Sequence, residues 1–158
     1  MAVSGRISIP RLSRRTIVRE RLLSRLHAGI GNGVTVLEAP AGYGKTTLLA
    51  QFVGDVDYAC KWLSLDSTSG SPEILAHQLG VALTGNLDIE PPATAAKVSD
   101  LQAYVGAVMS QALGDSDRPV LLVIDNTHEL AGKPGSGELA RLAHRLPPRR
   151  QRGGPRRP

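Results

Sequence analysis

The residues best suited to chemistry are Lys45 and Thr46, which follow a turn of small residues. The stretch Val34 to Thr47 reads V-T-V-L-E-A-P-A-G-Y-G-K-T-T. Its β-branched start predicts a strand, and the spacing of apolar residues after Thr47 predicts a helix. A strand, a glycine turn and a helix in this order form the setting of a phosphate-binding loop, where backbone N–H groups and the positive end of a helix meet an anion.

Each position of this loop has a role that follows from its residue type. Lys45 is expected to reach the β- and γ-phosphates of a nucleotide, and the Thr46 hydroxyl is expected to bind Mg²⁺. Ala39 replaces the first glycine of the pattern G-x-x-x-x-G-K-[ST]. The alternative is a glycine-rich turn with a solvated lysine. The predicted nucleotide-binding residues are Ala39, Pro40, Ala41, Gly42, Tyr43, Gly44, Lys45, Thr46 and Thr47.

A carboxylate follows the most apolar run of the chain, V-L-L-V-I-D, which ends at Asp125. Such a run is typical of a strand that is buried on both faces of a parallel sheet. The carboxyl ends of parallel strands form one edge, where ligands bind. We therefore expect Asp125 to hold Mg²⁺ together with Thr46. An aspartate in this position can also cap the next turn, which is the alternative interpretation.

Hydrolysis of a nucleotide requires a group that orients or deprotonates a water molecule near the γ-phosphate. The candidate catalytic residues are Lys45, Asp125 and Glu129. Asn126 cannot act as a carboxylate base, and Glu129 is as well explained as an idle surface residue. His128 could contact the γ-phosphate or Asn126, or it is a plain loop residue.

The net charge of +5 conceals an acidic body between two basic ends. Residues 1–28 hold seven arginines and one glutamate, residues 29–148 hold seven basic and thirteen acidic side chains, and residues 149–158 hold five arginines. The ends could contact nucleic acid, but they carry no aromatic residues that would stack on bases. Solvated, partly disordered ends are the favoured interpretation.

Other features of the composition favour a cytoplasmic location. One cysteine, Cys60, excludes an internal disulfide and is expected to be a small buried hydrophobe. No apolar run approaches the roughly 18 residues that a membrane helix requires, and no signal peptide is recognisable. We expect no membrane contact.

Alternating strands and helices predict an α/β fold: a three-layer domain with an incomplete parallel sheet of about three to four strands. Residues 1–16 are expected to form an extended arm, 17–146 a partial P-loop NTPase domain, and 147–158 a disordered basic tail. The polar residues 85–96 are expected to form a mobile loop. Ile17, Ile74, Leu101 and Leu113 are expected to face inward from their helices. Predicted strands cover 34–37, 59–65 and 120–125, and predicted helices cover 17–28, a segment after Thr47, 72–83, 98–113 and 137–146.

Four segments in this order resemble one protein family. They are I-S-I-P-R-L-S-R-R-T-I-V-R-E-R-L-L-S-R-L, A-P-A-G-Y-G-K-T-T-L-L-A-Q-F, W-L-S-L-D and V-L-L-V-I-D-N-T-H-E-L. Together they are similar to the N-terminal ATPase module of the large ATP-binding LuxR-type transcriptional regulators, maltose-activator-like members of the STAND class of AAA-like P-loop ATPases. The resemblance covers about residues 6–146.

The resemblance implies ATP and Mg²⁺ as cofactors. It implies that Ile17 to Glu20, with Val18 and Arg19, lies near the adenine, mostly through backbone contacts. It also implies that Asp125 is the Walker B acid. In the family a second aspartate usually follows this acid. Asn126 stands there in this chain, so weak or no hydrolysis is expected.

Family members continue into a sensor strand, a helical-repeat sensor and a C-terminal helix-turn-helix. In the family the sensor strand lies between the strands that carry Lys45 and Asp125, and here the sequence turns to proline, arginine and glycine where it is due. We therefore expect a truncated chain with no DNA-binding domain, which is marginally stable. It would bind ATP or ADP and either self-associate or associate with the rest of a regulator.

Three other hypotheses stay open at this point. The chain could be an active small P-loop NTPase or kinase, which would need an acceptor pocket and arginines near the γ-phosphate. It could be a non-functional fragment. It could also bind DNA through its basic ends, with an affinity that depends steeply on salt.

Overall fold

The computed structural model describes residues 6–90, 98–114 and 116–145. Five α-helices and two strands alternate along these residues. They are α1 (Glu20–Gly29), α2 (Lys45–Gly54), β1 (Ala59–Ser64), α3 (Pro72–Thr84), α4 (Val98–Gly114), β2 (Val120–Asp125) and α5 (Pro134–Arg145). Short 3-10 turns at Ile30–Asn32, Ser67–Gly70 and Thr127–Leu130 follow α1, β1 and β2.

The two strands pair in parallel, from Ala59 opposite Val120 to Ser64 opposite Asp125. Parallel strands need a long crossover, and α3 and α4 supply it. Because both strands run in the same direction, the residues after Ser64 and Asp125 emerge at one edge of the sheet. The predicted strands at 59–65 and 120–125 are confirmed.

Helices cover both faces of this small sheet, so the described residues form three layers. On one face, Trp62 and Val123 pack against Ala50 and Val53 of α2. On the other face, a larger cluster joins the sheet to α3, α4 and the turn after β2; its buried members are Leu63, Leu65, Leu75, Ala76, Leu79, Ala82, Val105 and Leu130. Cys60 is half-buried beside α2, and burial raises the pKa of its thiol.

Local chemistry explains why α3 forms where the sequence predicts it. The Ser71 hydroxyl accepts a hydrogen bond from the backbone N–H of Ile74 at 3.2 Å, and Pro72 occupies the first turn. Gly85 ends the helix in the left-handed conformation, with φ of 73°. Every residue from Leu79 to Leu83 is buried, which is why this helix forms the centre of the larger cluster.

The prediction of a strand at 34–37 is wrong for the described residues. The sheet contains β1 and β2 only, and residues 34–40 belong to no helix or strand. Val34 is 41% exposed and Val36 is 81% exposed. A β-branched run becomes a strand only when a neighbouring strand accepts its backbone hydrogen bonds and covers its side chains. The expected sheet of three to four strands is therefore reduced to two.

Helix ends and exposed faces account for the remaining corrections. Helix α1 begins at Glu20, and Ile17, expected on its buried face, is 80% exposed. The carbonyl of Ile17 accepts a hydrogen bond from Gln51 Nε2 at 3.0 Å, which holds this residue outside the helix. Ile74 and Leu113 are 43% and 56% exposed, because they lie in the first and last turns of their helices. Helix α5 begins at Pro134, three residues earlier than predicted.

Several predictions fall outside what the structure describes. They concern residues 91–96 of the predicted loop, the side chain of Leu101 and the basic tail 147–158. Residues 85–90 are described and are tied to the helices, since Tyr104 donates to the Glu90 carbonyl at 3.1 Å and His77 Nε2 lies 3.1 Å from the Ile89 carbonyl. Across the described ranges no helix has the length and apolarity needed to cross a membrane.

Candidate phosphate-binding site

The loop before α2 has a backbone that depends on glycine. Gly42 and Gly44 have φ of 79° and 75°, in the left-handed region that disfavours other residues. Gly44 is the N-cap of α2, and its carbonyl accepts the first helical hydrogen bond, from Leu48 N–H at 3.0 Å. The N–H groups of the first helical turn have no partner within the helix itself, so the loop leads directly to a row of backbone donors.

The side chain of Lys45 folds back onto this loop. Its ammonium group donates to the carbonyl of Ala39 at 2.7 Å and to the carbonyl of Pro40 at 2.9 Å. The residue is half-buried. The ammonium group is thus held by two backbone carbonyl oxygens. An anion with a full negative charge would displace them, because it forms stronger hydrogen bonds to the ammonium group.

The structure brings Thr46 and Asp125 together, although they are 79 residues apart in the sequence. The Thr46 hydroxyl donates to Asp125 Oδ2 at 2.7 Å, and the backbone N–H of Asn126 donates to Asp125 Oδ1 at 2.9 Å. Asp125 is 6% exposed. Both carboxylate oxygens are therefore oriented by hydrogen bonds, and the group lies at the carboxyl end of β2.

The Thr46–Asp125 pair has the donor chemistry that Mg²⁺ prefers. Mg²⁺ binds oxygen, keeps several waters and is usually held by one or two protein groups together with substrate phosphates. Across the described residues there is no group of three or more histidine, cysteine or acidic side chains that could form an all-protein site. One hydroxyl and one carboxylate beside this glycine loop have the chemistry to hold a magnesium ion that is shared with a nucleotide.

The side chain of Arg19 reaches the loop, which the sequence did not indicate. Its guanidinium donates to the carbonyl of Tyr43 at 2.7 Å and lies close to Gly44. The resemblance implied backbone contacts with a base for this segment, whereas the structure places the charged side chain of Arg19 on the loop itself. No spacing rule in the sequence could have revealed a contact across 24 positions.

Val18 lines a separate open cleft of about 730 Å³ between the N-terminal arm, α1 and α2. Gln51 also lines this cleft, and its Oε1 atom is buried with no hydrogen-bond partner among the described residues. A buried acceptor without a hydrogen bond is costly. Gln51 is the second residue that the sequence gave no reason to select.

Glu129, the candidate base, lies in the 3-10 turn after β2. Its carboxylate is 3.7 Å from His128 Nε2, and His128 is largely exposed. Asn126 precedes this turn in the left-handed conformation with φ of 59°, which asparagine tolerates better than most residues. Glu129 therefore lies beside His128, and the side chain that contacts Asp125 is Thr46.

A second polar cluster occupies the same edge of the sheet, beyond β1. Asp66 forms an ion pair with Arg6 of the arm and accepts hydrogen bonds from the backbone and side chain of Thr68. Burial raises the pKa of Asp66. The hydrogen bonds and the charge of Arg6 together lower it by more, so the pKa lies below the ordinary value. This cluster fastens the N-terminal arm to the sheet.

Taken together, the fold and the site define an α/β protein whose glycine loop, lysine and hydroxyl–carboxylate pair lie at the carboxyl edge of a parallel sheet. Comparison with known proteins shows that the chain is similar to transcriptional regulators. It is 35% identical over 135 residues to the HTH-type transcriptional regulator MalT of Serratia proteamaculans, and 34% identical over 134 residues to MalT of Yersinia enterocolitica. MalT of Yersinia pestis is 35% identical over 134 residues.

These matches cover 81% of this chain but 14% of each regulator. The chain is therefore similar to one part of MalT-type regulators, in agreement with the resemblance to LuxR-type regulators. No protein-family model matches the chain.

Proposed function

We propose that this chain binds Mg-ATP through residues 39–47, as the nucleotide-binding module of a MalT-like transcriptional regulator, with weak or no hydrolysis. The observation that carries the proposal is the 2.7 Å hydrogen bond between Thr46 and Asp125. The sequence predicted each residue for the same ion from a different local pattern. Their contact across 79 positions is what a shared magnesium site requires.

The nucleotide phosphates would lie against the loop and the N-terminal end of α2. Lys45 would exchange its bonds to the Ala39 and Pro40 carbonyls for bonds to phosphate oxygens, which are stronger because both partners are charged. Thr46 and Asp125 would hold Mg²⁺, which neutralises phosphate charge when bound. The cleft that Val18 lines, where the resemblance implies contacts with the adenine, would offer room for the base and sugar.

The residues that follow Asp125 are the reason for proposing weak hydrolysis. Asn126 donates its backbone N–H to Asp125, and an amide side chain cannot accept a proton from water. Glu129 is the remaining candidate base, and its carboxylate lies beside His128. Slow hydrolysis suits a regulator, because the module then stays in its nucleotide-bound state long enough for that state to act as a signal. The other parts of such a regulator would read that state.

Equilibrium dialysis with labelled ATP and Mg²⁺ tests the proposal. The substitution Lys45→Ala should weaken ATP binding by about 100-fold or more, because it removes a charged partner from the phosphates. Lys61→Ala, which removes a lysine from β1, is the matched control and should leave the affinity unchanged. Equal affinities of the Lys45→Ala variant and the parent chain would refute the site. Phosphate release in the same samples should stay near the background rate.

A further inference from the structure

Arg19 contacts the peptide group that joins Tyr43 to Gly44. We infer that Arg19 is a positioning residue that turns the Gly44 N–H toward the phosphate position. The inference rests on the proposed function and deepens it, because it assigns to the arm before α1 control over how tightly the loop holds polyphosphate.

The peptide between Tyr43 and Gly44 is planar, which fixes the relative directions of its C=O and N–H groups. In a trans peptide the C=O and N–H groups point in opposite directions, and the described residues contain no cis peptide. Arg19 Nη1 donates to the Tyr43 carbonyl at 2.7 Å, so this carbonyl faces the guanidinium. The N–H of Gly44 in the same peptide must therefore point away from Arg19. A rotation of this peptide would break the hydrogen bond with Arg19.

Gly44 allows the guanidinium to come this close. A Cβ atom at position 44 would lie 3.3 Å from Arg19 Nη2 and 3.6 Å from its Cζ and Nη1 atoms. The φ of 75° at this residue also favours glycine. The positive φ therefore favours glycine at the N-cap of α2, and a Cβ there would also push the Arg19 guanidinium away by a few tenths of an ångström.

The backbone at and before Arg19 is anchored by hydrogen bonds to α1 and α2. Its carbonyl accepts hydrogen bonds from the N–H groups of Leu22 and Leu23 at 2.9 and 3.0 Å, because it is the N-cap of α1. Two residues earlier, the Ile17 carbonyl accepts from Gln51 Nε2 of α2 at 3.0 Å. The guanidinium therefore links the anchored start of α1 to the loop. Its charge also favours an anion nearby.

The experiment compares Mg-ATP with Mg-pyrophosphate, which has the phosphates but no base or sugar. Binding of both is measured by isothermal titration calorimetry to the full chain and its Arg19→Ala, Arg19→Lys and Arg25→Ala variants. We expect Arg19→Ala to weaken both ligands by the same factor, about tenfold, which is the worth of one charge-assisted hydrogen bond. Arg19→Lys, which keeps the charge and a donor, should recover most of the loss.

Arg25→Ala is the matched control, since Arg25 is an exposed arginine of α1, and its affinities should equal those of the parent chain. Circular dichroism melts of the unliganded variants check that the fold is retained, and Arg19→Lys gives the test if Arg19→Ala unfolds. The inference is overturned if Arg19→Ala weakens ATP but not pyrophosphate, because Arg19 would then serve the base or sugar. Unchanged affinities also overturn it. Failure of the parent chain to bind either ligand refutes the proposed function and this inference together.

Discussion

The α3 face of the sheet and the two segments that precede α1 and α2 are built in different ways. On the α3 face, Leu63, Leu75 and Leu79 are at most 2% exposed and form one continuous apolar cluster. In the segments before α1 and α2, which we call the loop side, Ile17 is 80% exposed and Val36 is 81% exposed. Single hydrogen bonds, such as that between Gln51 and Ile17, connect the segments there. Apolar packing therefore stabilises the α3 side, whereas the segments before α1 and α2 combine exposed apolar side chains with hydrogen bonds that a ligand could reinforce.

The largest expected effect lies on the packed face. Leu63→Ala should lower the free energy of unfolding by about 3–5 kcal/mol, because Leu63 is 0% exposed and its removal leaves a cavity. We expect the chain to be marginally stable, so this change should abolish the folded state in circular dichroism. Val36→Ala on the loop side should change stability by less than about 0.5 kcal/mol. A sharp, highly stable thermal transition of the parent chain would contradict the expected marginal stability.

The next effect concerns the loop side and its proposed ligand. Mg-ATP at about 100 times its dissociation constant should stabilise the chain by about 2.7 kcal/mol through mass action, and the melting temperature should rise by several degrees. Differential scanning fluorimetry with ATP plus Mg²⁺ and with ATP plus chelator measures this. In Asp125→Asn the two conditions should give the same melting temperature. A full magnesium-dependent rise in that variant would remove Asp125 from the metal site.

A pair of glycine substitutions in and beside α2 tests whether the loop is strained in the expected way. Gly44→Ala should cost about 1–2 kcal/mol, because φ at this position is 75°. Gly54→Ala should be neutral or stabilising by up to about 1 kcal/mol, because a Cβ there meets no atom within 4 Å and the helix gains a better helix former. Urea denaturation of both variants measures the difference. Equal effects would show that the loop backbone does not require glycine.

The smallest effect is the pH dependence from Asp66. Its pKa is lower in the folded chain than the ordinary value, so the unfolded chain binds the proton more readily. The resulting stability is present above the ordinary aspartate pKa and is lost as the pH falls through the lower folded pKa. Thermal melts between pH 3 and 6 should show a shallower acid decline for Asp66→Asn than for the parent chain. Parallel curves for the two would exclude this contribution.

The sequence predicted well wherever a structure depends on neighbouring residues. The helix predicted at 72–83 is observed as α3, because proline suits the first helical turn and this preference acts within a few positions. The strand 120–125 was equally clear, since an unbroken apolar run needs cover on both sides. The loop at 39–47 was predicted from glycine spacing, and Gly42 and Gly44 do adopt positive φ.

The sequence predicted poorly where a structure depends on a distant partner. Val34 to Leu37 has the composition of a strand but forms no strand in the described structure, because strand pairing depends on another segment beside it. Glu129 was selected because it follows Asp125 by four positions. A distance along the chain does not determine where the side chain points. Arg19 was selected for its backbone, and its side chain makes the contact.

By itself, the sequence determined the glycine loop, the ends of α3 and the two paired strands, because local sterics and burial act through residues close in the chain. Only the tertiary structure decided that Thr46 meets Asp125, that Arg19 supports the Tyr43–Gly44 peptide, and that the run at Val34 stays unpaired. These contacts join positions separated by tens of residues. Their formation depends on how the whole chain packs, which spacing and composition do not encode locally.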